Sequence, residues 1–121
     1  MLEISNLNAY YGKSHILQGV TLNINKGEVV SLLGRNGVGR STTIKSIMGM
    51  VTVKGSIKFN QQEIAGKRIH EISNLGIGYV SENREIFPDL TVFENLLLGQ
   101  KNINNSEAWS MDELFELFPN L

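Results

Sequence analysis

The sequence predicts an α/β fold that begins with strands and continues with strands and helices in alternation. Three patterns indicate this class. Apolar and polar residues alternate over much of 2–24, which is typical of half-buried strands. A short apolar run at 28–33 then leads through a glycine-rich loop into a helical pattern at 41–50. Two later segments have the Ser/Thr-x-x-Glu spacing with which helices start.

The strand pattern at the start of the chain extends from Leu2 to Ile24 and is interrupted at 11–14 by Tyr-Gly-Lys-Ser. A turn is predicted at 25–27, where the sequence reads Asn-Lys-Gly. The next run, 28–33, is mostly apolar and ends at a glycine. Such a run is typical of a strand buried on both faces of a parallel sheet.

The glycine-rich loop is followed by a predicted helix at 41–50. Its apolar residues, Ile44, Ile47 and Met48, share one side, and we expect that side to be buried. A strand entered through a glycine is predicted at 55–60.

A short helix is predicted at 68–75, where Gly76 stops it, and the apolar run at 77–80 predicts another buried strand. Capping boxes at Thr91/Glu94 and Ser110/Glu113 predict the last two helices, and a polar loop is expected from Asn102 to Ser106. The final helix has an apolar face formed by Met111, Leu114, Phe115 and Phe118.

Length and composition exclude several classes of protein. With 121 residues we expect one domain over residues 1–121. A formal net charge of −1 gives no electrostatic reason to expect a nucleic acid partner. The sequence has no cysteine, which excludes disulfides and thiolate metal sites. No apolar run approaches the ~20 residues of a membrane span, and we expect neither a signal peptide nor an extracellular location.

Residues 34–41, Gly-Arg-Asn-Gly-Val-Gly-Arg-Ser, follow the phosphate-loop pattern G-x-x-x-x-G-K-[ST], with Arg40 in place of the lysine. Glycines leave the backbone bare, so that successive amide N–H groups can point at phosphate oxygens. The helix that follows adds the positive end of its dipole. Ser41 is placed to offer a hydroxyl to Mg²⁺. A glycine-rich turn that binds nothing is the alternative, although the predicted strand before the loop and helix after it are the context that the motif requires.

Four segments of the sequence have a family pattern, at 10–20, 27–30, 33–43 and 76–96. The first three resemble the start of an ABC transporter ATPase. The fourth resembles more narrowly the ATP-binding subunit of bacterial high-affinity branched-chain amino-acid importers. The resemblance spans almost all 121 residues, but only about the first half of a complete cassette. It therefore implies a truncated cassette, in which a P-loop NTPase (RecA-like) core is joined to an antiparallel β-subdomain.

The resemblance implies ATP and Mg²⁺ as cofactors. Tyr11 matches the aromatic residue that stacks on adenine, although Tyr10 beside it is an equally good aromatic. Glu82 falls where the family usually has a glutamine that contacts Mg²⁺ or the attacking water, which makes it the candidate catalytic residue and, with Ser41, a metal ligand. The alternative for Glu82 is an ordinary polar residue at a strand end. The remaining nucleotide contacts fall on Gly34, Arg35, Asn36, Gly37, Val38, Gly39, Arg40, Ser41 and Thr42.

Two departures from the family pattern limit the activity that we expect. Arg40 is a planar fork that needs more room than the compact lysine of the family. The 121 residues also contain neither the Leu-Ser-Gly-Gly-Gln signature nor the later strand that supplies a magnesium aspartate and a general base. The resemblance implies an ATPase, but we expect these residues alone not to hydrolyse ATP at a useful rate.

The resemblance also implies partners, namely transmembrane permease subunits and a second ATP-binding cassette at the cytoplasmic face of the inner membrane. Phe87, Pro88 and Asp89 lie in the region that faces the membrane subunit in relatives, and the alternative for them is a plain turn. We expect the isolated chain to self-associate, because sheet edges and apolar helix faces would be left uncovered.

Two other functions deserve comparison. A GTPase or a small-molecule kinase would use the same loop, but the only similar guanine-binding motif, Asn-Lys-Gly-Glu at 25–28, lies upstream of the loop and does not match. A decayed or truncated cassette that acts only as an interaction module would also fit Arg40 and the missing motifs.

Overall fold

A computed structural model describes residues 1–100 and 109–121 of the chain. The loop expected from Asn102 to Ser106 lies outside these residues. The described residues form two compact units, Met1–Val80 and Ser81–Leu121. The single domain expected over 1–121 stays a prediction.

A four-stranded antiparallel sheet organises the first unit. Its strands are β1 (Leu2–Tyr11), β2 (Ser14–Ile24), β3 (Thr52–Phe59) and β4 (Gln62–Glu63), in the order β2-β1-β3-β4. The strand pattern of 2–24 forms β1 and β2, joined by a tight turn at Gly12 and Lys13, and the strand predicted at 55–60 is part of β3. The predicted strands of this sheet are therefore confirmed.

The core of the first unit lies on one face of this sheet. Residues of β1 alternate between the core and the opposite face on either side of an irregularity between Ile4 and Leu7, and Ile4, Leu7 and Ala9 are completely buried. Ile57 of β3 joins them from the neighbouring strand. This alternation is what a half-buried antiparallel sheet requires, because successive side chains point to opposite faces.

Among the described residues each unit contains two helices, and all four lie where the sequence predicts a helix. The first unit contains α1 (Arg40–Ile47) and α2 (Ile69–Asn74), and the second contains α3 (Val92–Gly99) and α4 (Met111–Leu117). Both predicted capping boxes are confirmed. The Thr91 Oγ1 and Ser110 Oγ atoms each accept a hydrogen bond, at 3.2 Å, from the backbone N–H three residues later.

The apolar side expected to be buried in α1 is buried only in part, since Met48 is in the core and Ile47 packs against it but Ile44 does not. Ile44 is 41% exposed, and the buried residues of the helix are Thr42, Thr43 and Ser46, followed by Met48 just after its end. Thr43 Oγ1 donates to the Gly39 carbonyl at 2.9 Å, and Ser46 Oγ donates to the Thr42 carbonyl at 2.7 Å. Burial of these hydroxyls is tolerated because each has a backbone acceptor one turn earlier.

The buried strands expected at 28–33 and 77–80 are absent, and these two predictions are wrong for the described residues. Val29 is 95% exposed, Leu33 85% and Val80 84%. A strand is stabilised by hydrogen bonds to a neighbouring strand, and none of β1–β4 pairs with either segment. The apolar pattern identifies segments that are suited to form strands, but it does not show whether a neighbouring strand is present to pair with them.

In the part of the chain that the structure describes, no helix combines the length and apolar character needed to cross a membrane.

The carboxylate of Glu63 holds β4 and the turn after it against β3. It accepts hydrogen bonds from the Ile57 N–H at 2.8 Å, from the Ala65 N–H at 3.1 Å and from the Ser56 hydroxyl. Burial alone would raise the pKa of Glu63, but these three hydrogen bonds and the charge of Lys58 lower it below its ordinary value of 4.5.

Glu63→Gln should lower the free energy of unfolding by about 1 kcal/mol at neutral pH. Both oxygens of the carboxylate accept hydrogen bonds here, whereas the amide of glutamine has one accepting oxygen and a nitrogen that can only donate. The pKa of Glu63 is lower in the folded state than in the unfolded state. The stabilisation by the carboxylate is therefore complete at pH values above the unfolded-state pKa of 4.5. It is lost as the pH falls through the lower pKa of the folded state.

Urea unfolding at neutral pH and at pH about 3 measures this difference. Glu3→Gln, an exposed substitution on β1, is the control for a general loss of charge. The same difference between wild type and Glu63→Gln at both pH values would contradict the assignment.

Candidate functional site

The glycine-rich loop connects the exposed segment at 28–33 to the start of α1. Gly37 and Gly39 have φ angles of 81° and 101°, in the left-handed region that residues with a Cβ rarely adopt. The Val38 N–H donates to the Arg35 carbonyl at 3.3 Å and closes a turn, and the Thr43 N–H donates to the Gly39 carbonyl at 2.8 Å. The loop therefore changes into helix at Gly39, which is the N-cap of α1.

Three glycines of the loop are required for different reasons. A Cβ on Gly34 would lie 2.6 Å from Val38 Cγ1, and a Cβ on Gly39 would lie 2.5 Å from Leu17 Cδ2. A Cβ on Gly37 would meet no atom within 4 Å. Gly34 therefore lets the loop fold onto itself, and Gly39 lets it approach β2. Gly37 allows the turn and leaves open space beside its Cα atom.

The start of α1 carries no acidic residue in its first turn. The other three helices each have a glutamate there, and its carboxylate accepts a hydrogen bond from the N-cap N–H of Arg68, Thr91 or Ser110 at 2.7–2.9 Å. Those backbone hydrogen bonds are the main cause of the lowered pKa of Glu71, Glu94 and Glu113. The first turn of α1 therefore has no carboxylate that would offset the positive end of the helix dipole. Such a helix start favours an anion from outside the helix.

The Arg40 side chain runs back from the start of α1 across the loop. Its Nη2 atom donates to Asn36 Oδ1 at 2.9 Å, and its Cδ atom lies 3.9 Å from the position that a Cβ on Gly34 would occupy. The guanidinium thus lies beside the first half of the loop. A cation at this place adds to the positive potential of the helix start.

The two aromatic residues at the end of β1 have different surroundings. The Tyr10 ring stacks on the His15 ring, with centroids 4.5 Å apart, and Lys54 Nζ lies 5.7 Å from the Tyr10 centroid. Tyr11 is 46% exposed. Of the two candidates that the sequence left open, Tyr11 is the more exposed and Tyr10 is already covered by neighbours of the first unit.

The end of the β1–β2 hairpin and the loop are connected through β2. Tyr11 pairs with Ser14 across the hairpin, and Ile16 lies two residues further along β2, roughly 7 Å away. A Cβ on Gly39 would be 4.0 Å from Ile16 Cγ2. The structure therefore brings the predicted adenine contact and the predicted phosphate contacts to the same strand of the first unit.

Glu82 is the candidate catalytic residue and, with Ser41, a candidate metal ligand. It is an exposed residue of the second unit, whereas Ser41 is the second residue of α1. Its roles as catalytic residue and metal ligand stay predictions.

The segment around Phe87, Pro88 and Asp89 is held by Asn95, a residue that the sequence analysis missed. Asn95 Oδ1 accepts from the Phe87 N–H at 3.0 Å. Its Nδ2 atom donates to the carbonyl oxygens of Phe87, Leu90 and Thr91 at 2.9–3.1 Å. An asparagine one turn into a helix that follows a Pro-Asp turn is a weak signal in the sequence, because only the folded loop shows which carbonyls the amide reaches.

Gly39→Ala and Gly37→Ala should separate two constraints on the loop, namely its left-handed backbone and the close approach of Gly39 to Leu17. Both place a Cβ on left-handed backbone, and we expect each to lower the free energy of unfolding by about 1–2 kcal/mol. Gly39→Ala should lower it by at least about 1 kcal/mol more, because its Cβ overlaps Leu17.

Urea unfolding of the two variants measures this difference, and Gly39→Ala in a Leu17→Ala background should recover the extra loss. Equal destabilisation by the two single substitutions would show that the contact with β2 does not constrain the loop.

Comparison with known proteins identifies the family. The family model described as "ABC transporter" matches residues 17–120. The chain is 37% identical over 123 aligned positions to the high-affinity branched-chain amino acid transport ATP-binding protein BraG of Pseudomonas aeruginosa, covering 100% of this chain and 53% of that protein. It is equally similar, at 37% identity, to the probable branched-chain amino acid transport ATP-binding protein LivF of Archaeoglobus fulgidus, covering 100% of this chain and 52% of that protein.

A solved structure supports the same assignment. The dimeric post-hydrolysis structure of an ATP-binding cassette bound to ADP and Pi has a TM-score of 0.71 and 26% identity, covering 93% of this chain and 52% of that one. The chain spans about half the length of the curated relatives that it matches. The predicted family resemblance and the α/β cassette fold with an antiparallel sheet are confirmed. The chain belongs to the ABC transporter family of ATP-binding cassettes.

Proposed function

We propose that this chain is part of the ATP-binding subunit of an ABC importer, and that the importer transports branched-chain amino acids. The loop from Gly34 to Thr42 binds the phosphates of ATP. The substrate class is proposed from the two relatives named above, both of which are branched-chain amino acid transport ATP-binding proteins.

One observation supports nucleotide binding more than any other. In a chain of this family, a loop with two left-handed glycines runs directly into a helix whose first turn has no acidic residue. Backbone N–H groups of such a loop and the helix dipole together favour an anion of the size of a phosphate chain. Arg40 supplies a cation at the same loop.

The other site residues take the roles that the sequence suggests. Tyr11 provides an exposed aromatic face for adenine at the end of the hairpin next to the loop. The Ser41 hydroxyl and the Glu82 carboxylate are oxygen donors of the kind that Mg²⁺ prefers. When bound, Mg²⁺ neutralises charge on the outer phosphates. Glu82 is also the proposed residue that orients the attacking water.

We also propose that these 121 residues alone bind ATP without hydrolysing it at a useful rate. The arginine at position 40 cannot act as the compact charge that a lysine provides. The sequence contains no Leu-Ser-Gly-Gly-Gln signature and no later carboxylate strand. Phosphoryl transfer depends on positioning and on charge stabilisation from several groups at once, so one phosphate loop is not sufficient.

The proposed partners are permease subunits and a second cassette, which would place the protein at the cytoplasmic face of the inner membrane. Several large apolar side chains support the need for a partner, since Val29, Leu33 and Val80 are more than 80% exposed. In the second unit Phe87 is 62% exposed on the loop that Asn95 holds. The same apolar residues support self-association of the isolated chain.

Gly37→Asp and Gly37→Asn test the phosphate site with a matched pair of side chains. Both residues tolerate left-handed backbone, and a Cβ at this position meets no atom within 4 Å. Only the aspartate adds a negative charge, and we expect it to weaken ATP affinity at least about tenfold more than the asparagine does.

Isothermal titration with ATP in the presence of Mg²⁺ measures the two affinities, and thermal unfolding checks that both variants fold. Equal ATP affinity of wild type and Gly37→Asp would place the nucleotide elsewhere. Failure of the wild-type chain to bind ATP would favour the alternative function, an interaction module that docks without nucleotide.

Tyr11→Ala should weaken ATP binding about tenfold, because the adenine loses an aromatic face, and should leave pyrophosphate binding unchanged. Tyr10→Ala is the control, since that ring is already stacked on His15. Competition titrations with ATP and with pyrophosphate measure both effects. A larger loss of ATP affinity in the Tyr10 variant would reassign the adenine contact.

A further inference from the structure

We propose that Asn36 is a positioning residue for the Arg40 guanidinium, and that the pair sets how this loop binds a phosphate chain. The inference rests on the proposed phosphate site and adds a role for the Asn36 side chain. The family pattern has a lysine at position 40, and this chain has an arginine. A contact that fixes the plane of the side-chain head group can affect binding only where that group is a planar guanidinium.

The geometry behind the proposal is a bridge from one end of the loop to the other. Arg40 is the first residue of α1, and its Nη2 atom donates to Asn36 Oδ1 at 2.9 Å. The arginine stem passes Gly34, where its Cδ atom is 3.9 Å from the position of a Cβ. The stem therefore passes close to the backbone of the loop at Gly34. The guanidinium itself is oriented by its hydrogen bond to the amide of Asn36.

The hydrogen bond to Asn36 leaves most of the guanidinium available. Arginine has five N–H donors in a fixed planar fork, and Asn36 Oδ1 accepts from one nitrogen. The other donors can contact two phosphate oxygens at once, with the plane of the fork already fixed. An unrestrained arginine would lose more rotamer freedom on binding a phosphate, so the contact with Asn36 should increase affinity.

Lysine at the same position would respond to Asn36 in the opposite way. An ammonium group has three N–H donors on one nitrogen, so a hydrogen bond to Asn36 would take one donor from phosphate and would orient no second edge. The favourable contribution of Asn36 to phosphate affinity should therefore disappear or change sign in a lysine background. A role for Asn36 in loop structure alone would not depend on the residue at position 40.

A double-substitution cycle on the full chain tests this dependence, with wild type, Asn36→Ala, Arg40→Lys and the combined variant. Inorganic pyrophosphate is the probe, because it has no base and so isolates the phosphate contacts. We expect Asn36→Ala to weaken pyrophosphate binding about fivefold with Arg40 present. In the Arg40→Lys background the same substitution should leave the affinity unchanged or raise it.

Thermal unfolding of all four variants shows whether each is folded at the titration temperature. Asn36→Ser, which keeps a side-chain oxygen in place of the amide, provides a second and milder variant, and its affinity should lie between those of wild type and Asn36→Ala.

Equal weakening in both backgrounds would overturn the proposal, because Asn36 would then act on the loop and not on Arg40. No weakening in the arginine background would overturn it as well. If wild type binds pyrophosphate but the cycle shows no coupling, this inference fails and the proposed function stands. If wild type binds neither pyrophosphate nor ATP, both fail together.

Discussion

The close approach of Gly39 to Leu17 is the contact on which the candidate site depends. It seats the end of the glycine-rich loop on β2, and β2 is paired with β1, whose last residue is Tyr11. The loop, the start of α1 and the exposed tyrosine are therefore positioned by one antiparallel hairpin. Because Gly39 also has left-handed backbone, this position excludes a side chain on two separate grounds. A residue with a Cβ would force either the Leu17 side chain or the start of the helix to shift.

The positive potential at the candidate site results from the absence of an acidic residue in the first turn of α1. The described helices other than α1 each place a glutamate against their own N-cap, and those carboxylates are held ionised by backbone N–H groups. In α1 the corresponding position holds Thr42, a buried residue without a charge, and the first turn of the helix has no acidic residue. The positive end of the helix and Arg40 thus face one loop in a chain whose formal net charge is only −1. Local arrangement, and not overall charge, therefore produces the positive potential at this loop.

Side chains that bond to backbone order both units. Glu63 joins two strands and a turn in the first unit, and Asn95 holds the Phe87–Thr91 segment in the second. Neither residue belongs to a recognised motif, because its partners are backbone atoms that become neighbours only after folding. The Tyr10–His15 stack is similar, since the hairpin register brings the two rings together. That register makes Tyr11 the more exposed of two tyrosines that the sequence could not separate.

The sequence by itself determined the features that depend on local chemistry. Alternation predicted β1 and β2, glycines and spacing predicted the phosphate loop and α1, and the Ser/Thr-x-x-Glu pairs predicted the starts of α3 and α4. Each of these patterns is completed within a few residues of chain. Tertiary structure decided the rest. The runs at 28–33 and 77–80 are apolar enough for strands, but strand formation needs a hydrogen-bonding neighbour, and none of the four described strands supplies one. The buried side of α1 and the orientation of Arg40 likewise depend on which atoms lie opposite, which no spacing along the chain can state.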